Sequence, residues 1–348
     1  MMPESTTAHP EAIEAAAPAR AIQVAVVRLL HHLSNGHYRF TTPTPLTHQR
    51  VLDRRAGQVL PAVKGSAIHH PDLRDVLGWN LPFDTRSLDP VDLKLMTDAD
   101  ALIEGTPPTA SRATLRISSL GDDLFVHSAF PTLQSDAVFF GPDTYRFARF
   151  VMQAVQSTAV LNATRAPVRV LDIGCGTGAG GVTAIRALGS NAVLTLNDIN
   201  PKALAYAAAN MAAAGLSCQW LSGDFMTTVV GEYDLIIANP PYLDDAQHRA
   251  YRDGGARLGR DLSLRMATTA LEHLAPGGQL LLYTGVAIVG GQDPFLAELQ
   301  TLLNDFDGIW HYSEIDPDVF GEELERAVYA DIDRIAAVGL VATRHGAI

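Results

Sequence analysis

The sequence predicts an α/β fold built on a doubly wound, mostly parallel sheet, preceded by a smaller, mainly helical region and a β-hairpin linker. Three observations carry this reading. From Val168 onward, apolar strand-like runs alternate with helical spacing. Val170-Leu171-Asp172-Ile173-Gly174-Cys175-Gly176-Thr177-Gly178 runs from a strand into a glycine-rich turn. The apolar run Tyr233 to Ala238 stops at Asn239-Pro240-Pro241-Tyr242, because two consecutive prolines cannot continue a central strand.

Taken in chain order, residues 1–19 form a polar tail rich in Ala, Pro, Thr and Glu, and are expected to be disordered. They lack the apolar segment of a signal peptide. Residues 20–112 read as a mainly helical domain, with helical spacing over Ala21 to Leu33, Leu46 to Gly57 and Pro90 to Ile103. The His69-His70-Pro71-Asp72 cluster is a loop pair better read as surface than as a metal site. Residues 113–165 carry the linker: period-two runs Thr114 to Leu120 and Leu124 to His127 flank Gly121-Asp122-Asp123, a hairpin signature. An amphipathic helix with Phe147, Phe150, Val151 and Val155 on its apolar face follows, capped by Asp143 or Thr144.

Residues 166–348 read as the sheet-building domain. Strands are expected at Val168 to Ile173, Ala192 to Asn197, Cys218 to Ser222, Leu235 to Ala238, Gln279 to Tyr283 and Ala336 to Ala342. Helices are expected at Gly181 to Leu188, Pro201 to Ala214, Leu262 to Leu274 and Pro294 to Leu303.

With 348 residues and 47% hydrophobic content, the chain can bury a sizeable core. No apolar run approaches membrane-spanning length, and the expected compartment is the cytoplasm. Only Cys175 and Cys218 are present, with neither disulfide nor metal spacing, so no metal is expected. The net charge of −12 is uneven: residues 166–348 hold 11 Lys+Arg against 22 Asp+Glu. Such an acidic half offers no broad basic face for nucleic acid. The local exception is Arg249, Arg252, Arg257, Arg260 and Arg265, which read equally as a solvated surface or as a rim facing an anion or substrate.

The candidate chemistry follows from where the strands end. Asp172 closes the first strand, and Gly174, Gly176 and Gly178 let backbone amides approach a ligand at the next helix. Asp198, with Ile199 beside it, ends the second strand, where a carboxylate suits ribose hydroxyls. Gly223-Asp224-Phe225 after the third strand suits an adenine amine and ring face. Taken alone, the glycine turn and Asp198 also fit a nicotinamide-dependent dehydrogenase. A non-catalytic binding module is a further reading.

From Ala166 onward the chain resembles class I S-adenosylmethionine-dependent methyltransferases carrying Asn-Pro-Pro-Tyr, and in layout it is most similar to the HemK-type protein-(glutamine) methyltransferases. The resemblance implies a Rossmann-like seven-stranded sheet. It also implies S-adenosyl-L-methionine held by Asp172, Gly174, Cys175, Gly176, Gly178, Asp198, Ile199, Asp224, Phe225 and Asn239. Asn239, Pro240, Pro241 and Tyr242 would be catalytic: the Asn239 oxygen and Pro240 carbonyl accept the N–H bonds of a planar nitrogen, and Tyr242 stacks on it. Phe140-Gly141-Pro142-Asp143-Thr144-Tyr145 matches the family's Pro-Asp-Thr core, with Gly141 and Tyr145 where the family has arginine and glutamate. Pro142, Asp143, Thr144 and Arg252 are the expected substrate contacts. The implied partner is a release-factor-like protein, with RNA second and a small molecule third. The segment Glu314 to Leu324 matches nothing in that family.

Overall fold

The computed structural model describes residues 17–56, 72–105, 111–157, 167–189 and 191–346. The N-terminal helices are α1 (Ala17–Asn35), α2 (Pro45–Ala56) and α3 (Pro90–Asp98). Most of the expected tail, residues 1–16, and His69, His70 and Pro71 lie outside the described residues. Ala17 already belongs to α1, so the helix begins before the expected boundary. α3 starts where Asp89 caps Val91 N–H and Pro90 enters the first turn. It stops at Asp98 instead of running to Ile103, because Asp100 turns into the left-handed region at φ 53°. Leu102–Ile103 then forms a short strand, β1, paired antiparallel with β2 (Arg112–Ala113).

The hairpin is β3 (Leu115–Leu120) and β4 (Asp123–Ser128), with Arg116 opposite His127. Its turn is the two residues Gly121 and Asp122, not three. Gly121 supplies φ 59°, which a tight two-residue hairpin turn demands. After it come α4 (Pro142–Ser157), β5 (Val168–Ile173), α5 (Ala179–Leu188), β6 (Ala192–Asp198), α6 (Pro201–Ala213) and β7 (Gln219–Ser222). The chain continues through the single turn α7 (Phe225–Thr228), β8 (Tyr233–Ala238), α8 (Asp261–Glu272), β9 (Leu274–Ile288) and α9 (Pro294–Leu303), ending in β10 (Gly308–Asp316) and β11 (Arg334–Arg344).

The main sheet has seven strands in the order β10-β11-β9-β8-β5-β6-β7. β5 through β9 pair in parallel, and β11 pairs antiparallel with both β9 and β10. The Rossmann-like α/β expectation is met. β10 had no counterpart in the sequence reading, and the unplaced Glu314 to Leu324 segment divides between this edge strand, the loop beyond it and a 3-10 turn that begins at Gly321. The central strands are apolar on both faces because helices cover both. Val170, Leu235 and Ile237 pack beneath α4, α5 and α6. Leu171, Ile173 and Ile236 pack beneath α8 and α9.

The N-terminal helices share a core with the sheet domain. Leu29, Leu30 and Leu33 of α1 pack in one cluster with hairpin residues Ile117 and Val126 and with Ala209 of α6. Asn210, 1% exposed, pins the hairpin: its Oδ1 accepts Val126 N–H at 2.8 Å, and its Nδ2 donates to Val126 and Thr177 carbonyls. One side chain thereby ties β4 to the glycine-rich turn.

Candidate active site

Sheet order fixes where a ligand sits. β5 lies between β6 and β8, so the loops leaving β5 and β8 diverge and open a crevice at the carboxyl ends of the strands. A cavity of about 680 Å³ occupies it, lined by Asp172, Gly174, Asp198, Asp224, Phe225 and Asn239 among others. Cys175, Gly176, Ile199, Pro240, Pro241, Tyr242, Asp143, Thr144 and Arg252 also reach it. Gly178 and Pro142 are not on its wall. Gly178 instead starts α5 at φ 77°, and Pro142 begins α4.

Backbone geometry explains the glycine turn. Gly174 and Gly176 sit at φ 67° and 54°, and a Cβ on Gly176 would meet nothing within 4 Å, so bare backbone faces open space. Asp198 holds that turn, accepting Gly176 N–H at 2.9 Å and Asn200 N–H at 2.8 Å. Asp172 is 2% exposed and accepts Gly181 N–H at 2.8 Å. Its burial pushes the carboxyl up to about 7, and the nearby Asp198 adds to the rise. Asp198 is raised as well, by burial, against the pull of its backbone donors. Two buried carboxylates therefore face one cavity, an arrangement suited to a cationic or hydroxyl-bearing ligand. Asp224 caps α7, accepting Met226 N–H at 3.0 Å, and Phe225 beside it is buried. Cys175 is buried, and its thiol is held protonated by burial and by the two aspartates.

The Asn239-Pro240-Pro241-Tyr242 turn leaves β8 directly into the cavity. Asn239 Oδ1 is buried without a hydrogen-bond partner among the described residues. Buried acceptors are rarely left so, because the lost hydration is not recovered. Tyr242 is fixed from behind: its hydroxyl donates to Asp143, which also accepts the Tyr283 hydroxyl at 2.7 Å. Asp143 lies inside α4, 4% exposed, and does not cap it. Thr144 lies inside α4 as well and is not its N-cap; its Oγ1 instead accepts Gly141 N–H at 3.2 Å, a bond back to the residue before the helix. A Cβ on Gly285 of β9 would collide with the Tyr242 ring. Gly285→Ala is therefore expected to lower stability by about 1–3 kcal/mol, read by chemical denaturation.

The arginine cluster is largely neutralised by its own neighbours. Arg249 pairs with Asp245 at 2.6 Å and Arg252 with Glu323 at 2.6 Å, while Arg257 and Arg260 share Glu298. Glu323 comes from the formerly unplaced segment, which closes over the cavity with Phe320 edge-on to Tyr242 at 5.8 Å. Tyr145 has a local use of its own: its hydroxyl accepts Thr42 N–H at 3.1 Å, tying α4 to the N-terminal region. Thr42, His48 and Arg116 of that region also line the cavity. Their contribution was missed, and the signal for it was the polar face of the hairpin at Arg116, Ser118 and His127. Among the described residues no group of His, Cys, Asp or Glu could hold a metal ion, and no helix is long and apolar enough to cross a membrane.

The Methyltransferase small domain family model matches residues 150–288. A release factor glutamine methyltransferase of Deinococcus radiodurans is 34% identical over 160 residues, covering 44% of this chain and 55% of that protein. A ribosomal RNA small subunit methyltransferase C of Sodalis glossinidius is 39% identical over 116 residues, covering 32% of this chain and 29% of that protein. The chain thus spans about half the length, or less, of these relatives. A solved SAM-dependent methyltransferase from Agrobacterium tumefaciens has 18% identity and a TM-score of 0.45, covering 69% of this chain and 73% of that one.

Proposed function

We propose that this chain, whose residues 150–288 form an S-adenosylmethionine-dependent methyltransferase domain, methylates a planar nitrogen, with a protein glutamine side-chain amide as the acceptor. The observation that carries the reading is the buried, unpartnered Asn239 Oδ1 at the end of β8. An acceptor left empty in the fold is matched by a ligand N–H.

The residues present fit S-adenosylmethionine: an open glycine backbone, two buried carboxylates and a buried phenylalanine surround one cavity. When bound, that cofactor supplies a methyl group on a cationic sulfur. The acceptor nitrogen's lone pair forms the new N–C bond, the C–S pair leaves with sulfur, and the nitrogen's surplus proton passes to solvent. The amide lone pair is delocalised, so the nitrogen becomes positive as it reacts. Asn239 Oδ1 and the Pro240 carbonyl, on a backbone stiffened by two prolines, then bind its N–H groups more strongly than in the ground state. Asp143 and Tyr283 keep Tyr242 in place beside them. Asp198 and Asp224 orient the cofactor, and Asp198→Ala is expected to weaken its binding about 10–100-fold, measured by calorimetry.

An exocyclic amine of RNA is the second reading, supported by the relatives named as ribosomal RNA methyltransferases. The pairing of Arg249, Arg252, Arg257 and Arg260 with acids weighs against it, since phosphates then find little free positive charge on that rim. Incubation with methyl-labelled cofactor and either a peptide release factor or small-subunit ribosomal RNA tests the choice. Label on a glutamine amide supports the first reading, label on RNA replaces it, and label on neither rules out both acceptors.

A further inference from the structure

The most deeply buried cation on the cavity wall has no acid among the described residues to balance it. Arg116 of β3 is 4% exposed. Its Nε donates to the Gly78 carbonyl at 3.0 Å, and its Nη2 donates to Thr42 Oγ1 at 3.3 Å and lies 3.5 Å from His48 Nδ1. The guanidinium also sits 5.9 Å from the centre of the Phe40 ring. All of these partners are neutral. Nη1 has no hydrogen bond to any described residue, so two of the five N–H donors remain for a ligand. On the same cavity's rim, by contrast, Arg249 and Arg252 each have a carboxylate.

The surroundings keep this end singly positive. His48 Nε2 lies 3.1 Å from the Trp79 carbonyl and donates to it, which leaves Nδ1 as an acceptor toward Arg116. Burial and the guanidinium push His48 down to about 4, and hold His127 well below the ordinary imidazole range. Both imidazoles are thus neutral near pH 7, whereas Arg116, lowered to about 10, keeps its charge. A buried charge without a counter-ion is costly, and the few dipoles around Arg116 offset only part of that cost.

We propose that this end of the cavity binds an anionic group, a carboxylate or a phosphate, carried by the methyl acceptor, with Arg116 as its counter-charge. The inference rests on the methyltransferase reading and narrows it. The acceptor brings its nitrogen to Asn239 and its anion to Arg116, within one cavity whose wall also includes Phe130, Phe139 and Tyr251. Arg116 is here a specificity residue: it selects the acceptor and takes no part in the transfer.

The test is calorimetric titration of the full chain, with and without saturating S-adenosylhomocysteine, using two matched pairs: 4-aminobenzoate against aniline, and adenosine 5′-monophosphate against adenosine. The anionic member of one pair should bind about tenfold more tightly or better, as expected for charge-assisted hydrogen bonds. Discrimination in the first pair identifies a carboxylate, and in the second a phosphate. Arg116→Met should abolish the preference and Arg116→Lys restore part of it. In the unaltered chain, sulfate at constant ionic strength should weaken the anionic probe and spare the neutral one, a readout that needs no variant to fold. Equal affinity within both pairs, absence of binding by both, a preference that survives Arg116→Met, or indifference to sulfate overturns the inference. Failure of S-adenosylhomocysteine to bind overturns the cofactor reading instead, and is read separately.

Discussion

Asn239→Ala is expected to lower turnover by about 100- to 1000-fold while leaving cofactor affinity within a few-fold of the parent, the size of effect seen when one preorganised partner of a developing charge is removed. Its effect on stability separates this role from a structural one. Asn239 Oδ1 is buried without a partner among the described residues. Removing it takes away a desolvated acceptor and no hydrogen bond of that atom, so the variant should unfold at the same denaturant concentration as the parent or a higher one. A purely structural asparagine, holding the loop after β8, would show the reverse: lost stability and turnover lowered only in proportion. Steady-state kinetics and urea unfolding on one preparation distinguish the two. Normal turnover in Asn239→Ala removes the role assigned to this residue.

Asp172→Asn is expected to make the protein more stable and a poorer binder of its cofactor. The sign follows from the proton balance. The folded carboxyl holds its proton up to about pH 7 because it is buried, whereas the unfolded chain releases it near 3.8. Between those values the folded state binds more protons, so this group's contribution to stability falls as pH rises through the window and is flat above it. Asparagine keeps an oxygen for Gly181 N–H and never ionises. At pH 8 the variant should gain on the order of 4 kcal/mol, and at pH 4 the two proteins should converge. The expected loss in cofactor affinity is at least tenfold at pH 8, because a buried negative charge facing a cationic ligand disappears. Parallel unfolding curves at pH 4 and 8 without any pH-dependent difference would contradict this account of Asp172. Stability given up at a binding carboxylate is a common exchange for function.

Much of this arrangement was legible in the sequence, for definite reasons. β5 and β8 announce themselves because a strand covered on both faces must be apolar throughout, as Val170, Leu171, Leu235 and Ile236 are. The starts of α6 and α9 were readable because Asn200 and Asp293 cap them and Pro201 and Pro294 occupy the first turn. The glycine turn and the proline pair stood out because few other residues meet their backbone demands. β10 was not readable: as an edge strand with Trp310 and Ile309 exposed and Glu314 and Asp316 within it, it lacks a buried run. α8 was placed too far along, because Leu274 belongs to the next strand, where it is fully buried beside Tyr233.

Pairings distant in the chain were also hidden. Nothing near Tyr242 in sequence indicates that Asp143, 99 residues earlier, accepts its hydroxyl, so that a residue on the cavity wall also supports the turn. The arginine cluster could be weighed only once Asp245, Glu298 and Glu323 were seen to answer it. Arg116 could not be singled out by alternation alone. Its importance depends on Thr42 and His48, brought beside it from more than 60 residues away, and on the absence of any carboxylate among its hydrogen-bond partners.

The most direct measurement is calorimetric titration of the full chain with S-adenosylmethionine and, separately, with NAD. Saturable one-to-one binding of S-adenosylmethionine, weakened in Asp198→Ala and retained in Asn239→Ala, is the result this account predicts. Binding of NAD in its place, or S-adenosylmethionine affinity indifferent to Asp198, would contradict it.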